Sequence, residues 1–278
     1  MVFDSPENAV EILAAAVRTS HTAELQAIFG PQGQEILSSG DAVADRRGRE
    51  VFLIALDQRW RLEELDKDRR ELVIGNEEWP FPVPLIKDGE GWRFDTEAGK
   101  TEVLARRIGR NELAAIGVCR TYVIAQKEYA GQGHDGKAAG AYAQKVRSEP
   151  GRQDGLYWPT PRPSDKPSPL GDLAAQATAE GYSADPKGPR PFRGYFFKIL
   201  TRQGPAAPGG AIDYVVDGAM KRGFALIAYP AEYGNSGIMT FIVSHDGVVH
   251  EADLGPETLK VAGGVTAYDP GAPFGAVD

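Results

Sequence analysis

The sequence predicts an α+β fold in two parts: helices followed by a small curved antiparallel sheet, then a long central helix packed on a four-stranded antiparallel sheet. Three observations predict it. Apolar residues recur at helical spacing through most of the first 63 residues, and strand-like alternation then follows. A long helical stretch, Ala105 to Ala130, separates this half from a second run of strands. Helices and strands that are segregated along a chain are typical of α+β folds.

The first part opens with helical patterns. Asp4 and Ser5 can cap a helix whose first turn contains Pro6 and Glu7, a combination that is favoured at helix N-termini. The stretch Thr22 to Phe29 predicts a second helix, and the Gly-Pro pair that follows predicts its end. Arg47 to Glu63 predicts a third helix from its apolar spacing.

Strand signals follow these helices. Arg70 to Ile74 is strand-like, and the next stretch, Trp79 to Ile86, carries three prolines at every second position. Proline cannot donate to a strand ladder, so this stretch predicts an edge strand or a polyproline segment. Lys87 to Gly91 predicts a hairpin turn, and Trp92 to Asp95 the returning strand.

Helices followed by a small sheet that ends in an aromatic strand resemble the cone-shaped domains of the NTF2-like class, over residues 1–104. Such domains often carry an apolar pocket between helix and sheet. The resemblance therefore implies a ligand site that Trp60, Trp79, Phe81 and Trp92 could line. The alternative is that these aromatic side chains are ordinary core filling.

The central helix is expected to be buried on at least two sides. Asn111 predicts its N-cap, and Glu112 places negative charge near the positive end of the helix dipole. Leu113 and Ile116 fall on one apolar face and Cys119 on a neighbouring one, and the combined stripe is too wide for a single contact surface.

The densest positive charge in the chain lies around the predicted start of this helix, at Arg106, Arg107 and Arg110. One interpretation is an anion or partner site at a domain junction. The other is a set of ordinary ion pairs with carboxylates of the first half, such as Glu102, each worth about 0.2–1 kcal/mol.

The second part, residues 105–278, combines the central helix with four strands and a Pro-rich excursion over residues 159–193. The tail from Gly263 is rich in Gly and Pro and is expected to fray. The predicted strands are Tyr195–Leu200, Gly223–Pro230, Met239–Ser244 and Val248–Leu254. A helix followed by such strands resembles the globular part of type IV pilins and pseudopilins.

A more specific resemblance covers nearly the whole chain. Six stretches carry it: Phe3–Leu13, Trp79–Gly99, Arg106–Ile116, Asp154–Pro159, Gly194–Met220 and Ala225–Gly255. On these stretches the chain is similar to the bacterial DUF2950 proteins of unknown function, whose members usually look exported. The resemblance implies a mature chain with its signal peptide removed, in the periplasm or otherwise outside the cytoplasm.

Composition narrows the possible partners. The formal net charge of −8 argues against a nucleic-acid partner, because that binding rests on basic side chains. No run reaches the roughly 18 apolar residues of a membrane span.

The single cysteine cannot form an internal disulfide. No motif predicts a cofactor or catalytic residues, and no metal is expected, since the pair His134 and Asp135 lacks the further oxygen ligands of a calcium loop.

Three functions remain open. The first is a non-enzymatic structural or interaction protein of the cell envelope, a monomer or weak homo-oligomer that makes its contacts through the second part. The second is a small-ligand-binding protein with an apolar pocket in the first part. The third is a hydrolase with a site at the domain junction, built from the arginines and Tyr157, Trp158 or Tyr195.

Overall fold

A computed structural model describes residues 1–162, 164–182 and 190–277, and it confirms the α+β class. The chain divides into two compact units, Met1–Gly109 and Arg110–Asp278.

The first unit contains four helices, five strands and the beginning of a fifth helix. The helices are α1 (Pro6–Arg18), α2 (Thr22–Phe29), α3 (Gly33–Leu37) and α4 (Ala42–Gln58). The strands are β1 (Trp60–Asp66), β2 (Arg69–Ile74), β3 (Trp79–Pro80), β4 (Leu85–Asp88) and β5 (Gly91–Phe94), and α5 (Thr96–Ala130) follows them.

Helix α1 begins at its predicted start signals, and helix α2 has its predicted bounds. Ser5 is the N-cap of α1, where its side chain accepts a hydrogen bond from the amide of Asn8, and Pro6 is in the first turn. Such a cap satisfies one of the helix's free amides. Helix α2 spans the predicted Thr22–Phe29.

The third predicted helix, Arg47 to Glu63, ends five residues later in the prediction than in the structure. Helix α4 begins after Asp41, which caps the amides of Val43 and Ala44, and it ends at Gln58. Trp60 therefore lies on a strand, because β1 pairs antiparallel with β2. Strand pairing overrides the weak local preference for a helix.

The first sheet is antiparallel, with the order β1-β2-β4-β5, and β3 pairs with β2 beside β4. The predicted hairpin is confirmed, since Asp88 pairs with Gly91 at the end of β4 and β5. Within the proline-rich stretch Trp79 and Pro80 form β3 and Leu85 and Ile86 begin β4, and the four residues between them form no strand, as expected where every second residue lacks an amide proton.

Helix α5 begins nine residues earlier than the predicted Ala105 and continues through Gly109 to Ala130. The prediction of Asn111 as its N-cap is wrong. Asn111 is a buried residue of the helix interior, and its side-chain amide donates to the carbonyl of Ser236 at 2.9 Å. Asparagine often caps helices, but here the Asn111 side chain makes a contact between distant parts of the chain. Local sequence signals do not reveal such contacts.

The second unit contains the remainder of α5, two more helices and nine strands among its described residues. The helices are α6 (Gly171–Glu180) and α7 (Thr258–Gly264). The strands are β6 (Tyr195–Leu200), β7 (Arg202–Gln203), β8 (Ile212–Asp213), β9 (Val215–Val216), β10 (Ala219–Met220), β11 (Ala225–Pro230), β12 (Met239–Ser244), β13 (Val249–Asp253) and β14 (Gly275–Ala276).

The main sheet of this unit is antiparallel with the order β14-β13-β12-β11-β6, so it has five strands rather than the predicted four. The four predicted strands are β6, β11, β12 and β13. The fifth comes from the tail that was expected to fray: β14 pairs with β13, and the amide of Val277 donates to the carbonyl of Val249. The pairs β7-β8 and β9-β10 form two small separate sheets.

Both faces of the main sheet are covered. On one face α5 packs against it: the Tyr122 hydroxyl donates to the carbonyl of Ala225, and the Tyr122 ring contacts Phe224. On the other face Lys198 of β6 donates to the carbonyls of Ala262 and Gly263 at the end of α7. The packing of the central helix on the sheet is confirmed.

The Pro-rich excursion includes helix α6. Residue 163 and residues 183–189 of this excursion lie outside the described residues. Where the chain is described, no helix is both long enough and apolar enough to span a bilayer.

Candidate functional site

The four aromatic residues predicted to line a pocket share one face of the first sheet. Trp60 and Trp79 both pair with Ile74, one from each side, and paired residues of an antiparallel ladder project to the same face. Phe81 and Trp92 contact residues of the core on this face, since Phe81 meets Phe52 and Trp92 packs against the buried cluster.

The structure brings only some of these aromatics into direct ring contact. The rings of Trp79 and Phe81 are 6.3 Å apart in an edge-on arrangement, and Phe81 also contacts the buried Phe94 at 6.2 Å. Trp92 lies under the guanidinium of Arg70, at 5.3 Å. Trp60 and Trp79 remain 38% and 40% exposed, so they are the most exposed of the four.

The three arginines have different environments. The Arg106 guanidinium lies 5.2 Å from the Trp79 ring centroid and donates to Glu102 and to the carbonyl of Pro80. Arg107 is buried. Arg110 is exposed on the second unit's part of α5. A role of the three in binding an anion or a partner stays a prediction.

Arg107 stabilises the end of α3. Its guanidinium donates to the carbonyls of Glu35, Ile36 and Ser38 at 2.8, 2.6 and 3.3 Å. The last carbonyls of a helix have no partner within the helix, and a cation is favoured there by the helix dipole. The sequence signalled positive charge at this position, but not a carbonyl-binding role.

Three aromatic residues of the second unit were predicted for a hydrolase site. Trp158 and Tyr195 are buried, and their polar atoms donate to the backbone carbonyls of Lys166 and Met239. Burial raises the pKa of Tyr195 far above its usual range. Tyr157 is half-buried, and its backbone pairs with Ser148 and Val146. The hydrogen bonds of Trp158 and Tyr195 serve the fold, and a catalytic role stays a prediction.

Helix α5 is fixed to the second unit by two neighbouring polar side chains. Asn111 donates to the carbonyl of Ser236, and the Glu112 carboxylate accepts the amides of Ile238 and Met239 at 2.9 and 3.0 Å. A charged acceptor makes such hydrogen bonds stronger than neutral ones. These contacts set which side of α5 faces the sheet.

The opposite side of α5 carries two exposed apolar side chains, Leu113 and Ile124, which are 72% and 67% exposed. They are eleven residues, or three turns, apart, so they lie on the same side of the helix about 16 Å from each other. The exposed basic residues Arg110, Arg120 and Lys127 fall on that side as well. We call these five residues the α5 outer stripe. The sequence prediction placed Leu113 among the buried residues.

Cys119 lies on the inner side of α5, and burial raises the pKa of its thiol to about 12. Because the thiolate is the reactive form, the folded protein is expected to resist thiol reagents at pH 8. Ellman's reagent should label Cys119 completely in guanidinium chloride and hardly at all in buffer. Fast labelling of the folded protein would contradict the burial.

The buried thiol also predicts a pH dependence of stability. Unfolded, Cys119 loses its proton near pH 9, and folded only near pH 12. Between these values the unfolded state binds fewer protons, so this residue's contribution to stability is present below pH 9 and falls as pH rises, by at most about 1.4 kcal/mol per pH unit. At alkaline pH, the urea midpoint of Cys119→Ala should therefore fall less steeply with rising pH than that of the unchanged protein.

His134, His245 and His250 each contact a different tyrosine ring. His134 stacks on Tyr129 at 4.0 Å, with Nε2 3.0 Å from the Tyr129 carbonyl oxygen. His250 and His245 contact different tyrosines, Tyr268 and Tyr214. Across the described residues, no group of three or more His, Cys, Asp or Glu side chains is placed to hold a metal ion.

Comparison with known proteins gives one match. Neither the curated proteins nor the solved structures contain a significant match to the chain. A protein-family model covers residues 1–277, which include α5 and the strands of both five-stranded sheets. The chain therefore belongs to the family described as protein of unknown function (DUF2950).

Proposed function

We propose that the protein is a non-enzymatic interaction protein of the cell envelope that contacts its partner through the α5 outer stripe. The observation that carries this proposal is the exposure of Leu113 and Ile124 on a helix whose other side is packed on the sheet. They are the two most exposed large apolar side chains among the described residues, and because one helix holds both outward, a single partner surface could cover both.

The charges around them indicate the kind of surface that fits. Arg110, Arg120 and Lys127 surround the two apolar side chains, and one acidic residue, the exposed Glu128, lies one turn after Ile124. A partner with an apolar centre and acidic residues at its rim would match this arrangement, because complementary charges steer association and fix register. A second copy of the stripe would instead place like charges opposite each other.

The extracytoplasmic location is part of the proposal and rests on the resemblance to exported family members. It can be tested separately. The protein expressed in its own bacterium should be found in the periplasmic or other extracytoplasmic fraction, and recovery with cytoplasmic markers would contradict this location.

The interface is tested with the double variant Leu113→Glu, Ile124→Glu. Both residues are exposed, so the free energy of unfolding should change by no more than about 0.5 kcal/mol per site. In native gels of envelope extracts, the unchanged protein should migrate in a complex larger than the monomer, and the double variant should migrate as a monomer.

The matched control is Leu259→Glu, Val261→Glu on α7, where two apolar residues are also exposed. This control should keep the complex. If the α5 variant keeps the complex, or if the unchanged protein migrates as a monomer in the extract, the proposal is wrong.

A second function is favoured by one observation in the first unit. Trp79 is 40% exposed with Arg106 stacked over its ring, which suits a small ligand with an apolar body and an anionic group. Native mass spectrometry of protein purified from the envelope should then reveal a retained ligand that Trp79→Ala loses; its absence from the unchanged protein would contradict this function.

A further inference from the structure

Strand β6 forms one end of the main sheet of the second unit, and it pairs with β11 alone in that sheet. The pairing is regular over six residues, from Leu200 opposite Ala225 to Tyr195 opposite Pro230. A regular edge strand can accept another strand along its free side.

The hydrogen bonds show which backbone groups point to the free side. The amide of Ala231 donates to the carbonyl of Gly194, and Pro230 has no amide proton to give Tyr195. Residues of a strand alternate between its two neighbours. Phe197 and Ile199, like Tyr195, therefore direct their backbone groups away from β11.

Two of the outward positions are already used at the ends of β6. Tyr195 exchanges both backbone hydrogen bonds with Phe192, and the carbonyl of Thr201 accepts from Tyr214. Between them, the N–H and C=O groups of Phe197 and Ile199 have no hydrogen-bond partner in the described part of the chain. Both residues are only half-buried. We call these four backbone groups the β6 slot.

The other ends of the two five-stranded sheets are protected, and at β5 this is by Phe3, which pairs with Trp92. Strand β1 of the first unit has charged residues and a bulge between Glu64 and Asp66, and β14 is only two residues long. Strand β6 has no bulge. Its one charged residue is Lys198, and the ammonium group of Lys198 donates to the carbonyls at the end of α7. This side chain therefore does not place a charge at the free edge that would prevent another strand from pairing there.

We propose that the β6 slot binds a short extended peptide segment of another protein by antiparallel strand addition. Four backbone hydrogen bonds would hold the peptide, and they do not depend on its sequence. Its residues opposite Phe197 and Ile199 share a sheet face with these two apolar side chains. The preferred segment therefore has the pattern apolar, any residue, apolar.

A second copy of the chain does not fit this slot. If two β6 strands paired through Phe197 and Ile199, Thr201 of one copy would lie opposite Tyr195 of the other. That position is occupied by the backbone of Phe192. The open stretch between Tyr195 and Thr201 is six residue steps, about 20 Å, which suits a short tail or loop rather than a long strand.

The test uses the complete chain and the labelled peptide acetyl-Thr-Val-Glu-Val-Thr-amide, with binding followed by fluorescence anisotropy. In the bound peptide the two valine amides face the slot and the central amide faces away. N-methylation of both valines should weaken binding at least about tenfold, and N-methylation of the central glutamate should change it less than about twofold.

A protein variant supplies the reciprocal test. Ile199→Pro removes one outward amide without removing a bond to β11, as edge strands tolerate, and it should weaken binding of the unmodified peptide about tenfold or more. The proposal is overturned if the peptide does not bind at about 1 mM, if both methylated peptides bind equally, or if the protein self-associates through an interface that Ile199→Pro abolishes. The methylated peptides keep the test valid if this variant fails to fold.

Discussion

The variant Arg107→Met is expected to unfold with a free energy about 3 kcal/mol lower than that of the unchanged protein. Three carbonyls, of Glu35, Ile36 and Ser38, lose their donor, and the methionine offers no replacement. All three bonds are partly buried, so each lost bond should cost about 1 kcal/mol, the lower end of the range for an acceptor left unsatisfied. Urea unfolding followed by circular dichroism measures the change.

The matched control for this variant is Arg110→Met, which removes the same charge from the same helix. Arg110 is exposed, so its free energy of unfolding should change by no more than about 0.5 kcal/mol. Equal losses in the two variants would show that Arg107 acts through its charge alone and not through the carbonyls of α3.

The second large effect is expected for Gly237→Ala, at about 2–3 kcal/mol of destabilisation. An added Cβ would lie 2.1 Å from the hydroxyl of Tyr195 and 2.6 Å from its Cζ. That hydroxyl is fixed by its bond to the carbonyl of Met239, so the ring cannot yield without losing it. Overpacking of this kind typically costs 1–3 kcal/mol.

Gly234→Ala in the same turn separates crowding from backbone strain. Gly234 has a φ of +74°, and nothing lies within 4 Å of an added Cβ. Gly234→Ala should lower the free energy of unfolding only by the strain of a left-handed alanine, roughly 1–2 kcal/mol. Gly237 does not have a positive φ, so its variant carries no such strain. A smaller loss of unfolding free energy for Gly237→Ala than for Gly234→Ala would contradict the contact with Tyr195.

Local signals in the sequence predicted those parts of the fold that local physics decides. The cap at Ser5, the hairpin at Asp88 to Gly91 and the apolar run of β11 each depend on a few neighbouring residues. The predicted boundary between α4 and β1 was wrong because the true boundary is determined by the pairing of β1 with β2. The strand at Gly275 was missed because two residues carry no strand pattern.

The candidate site was harder to predict because exposure depends on what the rest of the chain covers. The spacing of Leu113 and Ile116 correctly indicated an apolar helix, yet Leu113 is 72% exposed and Ile116 packs against the core. Asn111 and Glu112 determine this difference by bonding to the turn before β12. No sequence rule connects those residues to a turn more than 120 residues away.

The most direct test of the proposed interface is photocrosslinking in the bacterium that makes the protein. p-Benzoylphenylalanine is incorporated at position 113, at position 124 or, as a control, at position 259, and the cells are irradiated. Positions 113 and 124 should each give the same discrete crosslinked species, and position 259 should give none. No crosslink from the α5 outer stripe, or an identical crosslink from position 259, would contradict the account.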